Sequence, residues 1–225
     1  MLLRHVALYL DLDDFAKAKA LRNEFLFRSC YMSNFLTRHA RALRWHSDLF
    51  RGVYVQGRHD GTHAPRISVD KDLIVPVKFD QRRYRACSAD ELHELFIAML
   101  VDGLERADAK YSLPLRSLLD AVEEFRSGGY RNEWTHRTRL LRPTQLRASL
   151  LCSLDQERFE LRLKLERRGA TVFNRKILET MPDELIFAHR FRDVALAADR
   201  ILVTDEFGKT TYSARLDALA LEGKS

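Results

Sequence analysis

Cysteine is scarce: Cys30, Cys87 and Cys152 lie far apart and are odd in number. No two have CxxC spacing, which excludes a zinc ribbon or a dithiol redox motif. Each reads as a small buried hydrophobe of a protein kept reduced. No apolar run approaches the roughly 18–20 residues that span a bilayer, so no membrane partner is expected. The first residues, Met1–His5, lack a basic-then-apolar leader with a small-residue cleavage site, and the expectation is a cytoplasmic protein. Also missing are a Walker-type phosphate loop, GxGxxG and GxSxG. There is no internal repeat or low-complexity tract. No cofactor is expected.

What is present is the composition of a folded chain. The 225 residues are 46% hydrophobic and 31% charged, enough for one large or two small domains. The net charge of +6 permits an anionic partner without demanding one. Of the 38 basic residues 29 are arginine, a bias that fits GC-rich bacterial coding. It also fits bidentate contacts to carboxylates and phosphates.

Residues 4–12 alternate as a strand, and apolar positions three or four apart over 14–46 predict a long helix. Residues 49–79 read as a β-hairpin or meander, with Asp60-Gly61 as turn chemistry. Ser88 and Glu91 form a capping box that opens a helix to about Ala109, and a further helix runs from Pro114 to Gly128-Gly129. Period-two alternation then predicts strands over 146–154 and 158–168 and a hairpin over 200–216, while 183–199 fits either state. The expected class is α+β. A helix-rich region, 1–127, precedes an antiparallel β-rich region, 128–225, as two parts or one continuous domain.

Four residue groups carry candidate chemistry. The stretch "VALYLDLDDF" is an apolar strand ending in acids, and it resembles the first motif of haloacid dehalogenase-like phosphatases. That resemblance implies Asp11 as nucleophile and Asp13 as general acid–base, with a parallel sheet and Mg²⁺ held by later acids. The match covers about ten residues and departs at Phe15, where the family has Thr or Val. The alternative is that Asp13 or Asp14 caps the helix that follows.

The loop "RHDGTH" brings His59, Asp60 and His63 together as possible metal donors. "RNEWTH", with Arg131, Asn132 and His136, resembles the Arg-Asn-x-x-x-His signature of HEPN ribonucleases. That likeness implies an all-helical fold in which Arg131 and His136 act at a 2′-hydroxyl and its phosphate. The same Arg–His spacing recurs at Arg41/His46 and Arg58/His63. His93 and Glu94 lack the second His of a zinc-protease pair.

The fourth group is basic and aromatic: Tyr130, Arg131, Trp134, Arg137, Arg139 and Arg142, with Arg82, Arg83, Tyr84 and Arg85 as a second cluster. Rings and guanidinium groups together suit nucleic acid or a protein surface. As a strand, the segment would split Trp134 from Arg137 and Arg139. The expected function is a non-enzymatic interaction module of the bacterial immunity type, occluding a partner toxin. Its contacts would be Arg131, Trp134, Arg137 and Arg139, with Arg82, Arg83 and Arg85 behind them. The alternatives are an RNA- or DNA-binding protein or weak nuclease using Arg131 and His136, and a phosphatase-like enzyme using Asp11 and Asp13.

Overall fold

The chain folds as two units, Met1–Asn132 and a second that begins at Glu133. A computed structural model describes residues 1–219. Helices gather in the first half and antiparallel sheets in the second, an α+β protein.

The first unit opens with β1 (His5–Leu10) and α1 (Lys19–Leu43), followed by β2 (Gly52–Arg58), the two-residue β3 (Arg66–Ile67) and β4 (Asp72–Lys78). The sheet order is β1-β2-β4-β3; β1, β2 and β4 are parallel, and only β3 runs against its neighbour. The hairpin or meander expected over 49–79 is therefore a crossover. The turn at Asp60-Gly61 leads not into β4 but past it, to the return strand β3.

The outer edge of β1 is met by α1. Thr37 Oγ1 accepts from the Val6 N–H at 3.0 Å and donates to the Val6 carbonyl at 3.1 Å. Ser33 accepts from the Leu8 N–H, and Ser29 donates to the Leu8 carbonyl. Thr37 and Ser33, four residues apart on the helix, rise by about 6 Å, close to the two strand residues from Val6 to Leu8, and Ser29 then serves Leu8 as well.

Three helices complete this unit: α2 (Gln81–Ala86), α3 (Ala89–Tyr111) and α4 (Leu115–Ser127). The Ser88/Glu91 capping box begins α3 as expected. Its Gly103 lies against β2, where a Cβ would stand 2.5 Å from a Val55 methyl, so only glycine permits this approach. Phe25, Phe79, Tyr84 and Phe96 pack edge-on or tilted at 5.3–6.3 Å as the aromatic core.

The second unit holds a meander of β5 (Asn132–Leu141), β6 (Leu146–Leu154), β7 (Phe159–Arg167) and β8 (Ala170–Thr180). Alternation sets its face: Leu150, Cys152 and Leu154 lie opposite Leu163, Leu161 and Phe159, all buried. Residues 183–199 resolve into α5 (Glu184–Phe187), a 3-10 turn over 188–190 and β9 (Asp193–Ala197). β10 (Arg200–Thr204) and β11 (Thr210–Arg215) complete a second sheet of order β11-β10-β9, and α6 (Leu216–Leu219) follows. Phe159 stacks on Phe187 at 3.9 Å and on Phe191 at 5.4 Å, tying the meander to the segment that leads into β9.

Candidate functional site

Parallel strands place their carboxyl ends on one edge of the first sheet, and most of the sequence candidates of this unit gather there. Asp11 follows β1 and is buried; its Oδ1 accepts from the N–H groups of Asp13 and Asp14 at 2.9 and 2.8 Å. Residues 12–17 follow as turns and not as helix. α1 starts at Lys19 with no side-chain cap, rather than at Asp13 or Asp14. Arg58, at the end of β2, makes a two-pronged contact to Asp14 at 2.6 and 3.2 Å and stands 3.8 Å from Asp11. The Arg58 hydrogen bond lowers the Asp14 carboxyl to about 2. Asp13 is exposed.

The neighbouring loop is folded onto this edge. His59 donates its backbone N–H to the Asp14 carboxylate, and its ring lies 4.3 Å from Phe15. Asp60 accepts from the backbone and hydroxyl of Thr62, and His63 Nδ1 meets the Asp60 carbonyl. Each donor is thus engaged locally. Among the described residues no three His, Cys, Asp or Glu side chains are grouped to hold a metal ion.

At the end of β4, Asp80 caps α2 by accepting from the N–H groups of Arg82 and Arg83. The cap turns Tyr84 into the core, where its hydroxyl donates to Glu24 at 3.1 Å, and leaves Arg82, Arg83 and Arg85 exposed. Arg85 pairs with Glu24 at 3.2 Å. Neither Arg82 nor Arg83 has a carboxylate within ion-pair distance among the described residues. Arg82, Arg85, Gln81 and His59 line an open cleft of about 650 Å³.

The other basic cluster is divided between the units. Arg131 is exposed, whereas Asn132 is buried, donating to the Tyr31 carbonyl at 2.7 Å and to Asn34 at 3.1 Å and accepting from Arg38. In the second unit Arg137 and Arg139 both meet Asp193, the latter through two bonds of 3.0 and 2.7 Å. The Arg139 hydrogen bonds hold the Asp193 carboxyl far below the usual carboxylate range. Trp134 is half-buried, 6.1 Å from Phe159. His136 packs edge-on against Phe191 at 4.8 Å, and desolvation lowers its pKa. The segment is a strand, where the ribonuclease likeness implies a helix.

Sequence reading did not find Arg58 or Asp193, the residues that organise the two clusters. Arg58 stood in a loop motif, and Asp193 lies more than fifty residues from the arginines it joins. His93 and Glu94 prove to hold Tyr130: the rings of His93 and Tyr130 stack at 4.2 Å, and the Tyr130 hydroxyl donates to Glu94 at 2.7 Å. Comparison with protein-family models, curated proteins and solved structures finds no match to this chain.

Proposed function

We propose that the protein is an interaction module that covers an acidic surface of a protein partner, as an immunity protein covers its toxin, with the α2 arginines as its contact. One observation carries this reading: Arg82 and Arg83 stand exposed on a capped helix with no carboxylate at ion-pair distance among the described residues, while Arg137 and Arg139 already share Asp193. An arginine held by an internal carboxylate must give up that bond to meet a partner, whereas Arg82 and Arg83 break no ion pair to do so. The test is recovery of a stoichiometric protein partner from the native cell by wild type and by R82E/R83E. Loss in the double variant supports α2. Equal recovery, or recovery of nucleic acid alone, removes this reading.

A second reading is favoured by one feature. Asp11 ends a parallel strand flanked by another, the setting that the phosphatase resemblance implies and that a hairpin would have denied. Magnesium-dependent hydrolysis of a generic phosphoester, lost in D11N, would support it; an inactive wild type removes it.

A further inference from the structure

The second unit contains a cavity of about 370 Å³ that no sequence motif announces. Its floor is apolar, made by Leu161 on β7 and by Ile177 and Leu178 on β8. Thr210, Thr211 and Tyr212 of β11 form the facing wall, and Arg190, Asp205 and Lys209 stand at the rim.

Two irregularities of the strands build it. Leu161 pairs with Leu178 and Arg162 with Lys176, which leaves Ile177 as an extra residue in β8. In the other sheet Val203 pairs with Tyr212 and Thr204 with Thr210, leaving Thr211 as the extra residue of β11. A bulge turns adjacent side chains out of strict alternation, and bulges concentrate where a strand must re-aim a side chain at a site. Here two bulges, one in each sheet, open on the same space. The three-stranded sheet is also one strand narrower than the meander it faces, by about 4.8 Å.

The rim is cationic and held in place. The turn 205–209 is fastened to the 3-10 turn by the Glu206 N–H on the His189 carbonyl, and to the residues just after it by Arg192 on the Glu206 carbonyl. Asp205 Oδ1 accepts from the N–H groups of Phe207 and Lys209. Arg190 and Lys209 are exposed, with no carboxylate at ion-pair distance among the described residues. The rim therefore carries two cations against one carboxylate engaged by backbone amides.

We infer that this cavity binds a small amphiphilic carboxylate, with its hydrocarbon tail on Leu161, Ile177 and Leu178 and its head between Arg190 and Lys209. The volume suits the tail: at ~30 Å³ per water-sized group it holds about a dozen such groups, the length of a medium chain. An apolar floor alone would accept any hydrocarbon, and a pair of surface cations alone any anion. Their combination at one opening selects a molecule that has both.

Octanoate is the probe, with 1-octanol and acetate as the two halves of its chemistry. Titration of the full chain, followed by amide chemical shifts, is expected to move residues 161, 177–178 and 210–212 in a saturable way. For so few ligand atoms the dissociation constant should be on the order of 1 mM. The R190A/K209A variant changes only exposed side chains. It should weaken octanoate roughly three- to tenfold and leave 1-octanol unchanged, since exposed ion pairs contribute little each. Acetate should move none of these amides. The proposal is overturned if wild type shows no saturable shift by about 20 mM, well above that affinity scale. It also fails if the shifts lie elsewhere, or if the double variant weakens octanoate no more than 1-octanol.

Discussion

Arg58 decides the behaviour of the acidic edge. It neutralises Asp14 directly and faces Asp11, so three closely spaced acids do not repel one another unchecked. Replacing it with Met, which keeps the length of the stem, should cost about 1–2 kcal/mol at neutral pH, as for a partly buried charged hydrogen bond. The dependence on acid has a definite sign. Asp14 titrates near 2 when folded, below its ordinary 3.8, so the contribution is complete above about pH 4 and disappears as pH falls toward 2. Urea denaturation of wild type and R58M should therefore show a gap at pH 7 that narrows steadily below pH 4. A gap that stayed constant to pH 2 would mean that packing, and not charge, is what Arg58 supplies.

At the scale of elements, contact between α1 and β1 includes hydroxyl bonds beside apolar side chains. Thr37 satisfies both the N–H and the carbonyl of Val6, so T37V, which keeps the shape, should destabilise the protein by about 2 kcal/mol through unpaired buried backbone groups. Thermal or urea unfolding measures it; a neutral result would show that water reaches the β1 edge. G103A presents opposing effects. Alanine favours helix by roughly 1 kcal/mol over glycine, but its methyl would stand 2.5 Å from Val55, which is fully buried and cannot yield. Overpacking should prevail, with a net loss of about 1–2 kcal/mol in the same measurement.

These elements also show what could be read beforehand. The α3 cap and the alternation of β6 and β7 are local patterns, and the structure reproduces them within a residue or two. The parallel sheet was not legible, because strand direction depends on partners far along the chain and Asp60-Gly61 looks like a hairpin turn. Nor was the start of α1, since Asp11 accepts from the amides of Asp13 and Asp14, residues 12–17 form turns, and the helix begins only at Lys19. For the candidate sites, residue types were legible and their engagement was not. Nothing adjacent to Arg137 and Arg139 indicates that Asp193 meets them.

At the scale of the whole molecule, the chain passes from one unit to the next immediately after Asn132, a residue fixed from within the first unit by Tyr31, Asn34 and Arg38. N132A removes its hydrogen bonds to Tyr31, Asn34 and Arg38 from a buried position and should cost about 2–3 kcal/mol. Hydrogen exchange locates the loss: amides of α1 should exchange faster, while those in the middle of β6 and β7 keep their protection. Equal acceleration in both would show that the two units unfold as one.

The two borders of the parallel sheet have a bearing on solubility. A strand with free N–H and carbonyl groups is a template on which a second chain can add itself, and such edges seed aggregation. Along β1 that template is occupied by Ser29, Ser33 and Thr37. Along β4 it is shortened by β3 and then interrupted at Pro76, which has no N–H to offer and whose carbonyl is taken by Arg106. Among the described residues the parallel strands of this sheet are thus closed on both sides, at β1 by the α1 hydroxyls and at β4 by β3, Pro76 and Arg106, which leaves the two-residue β3 as the short outer strand.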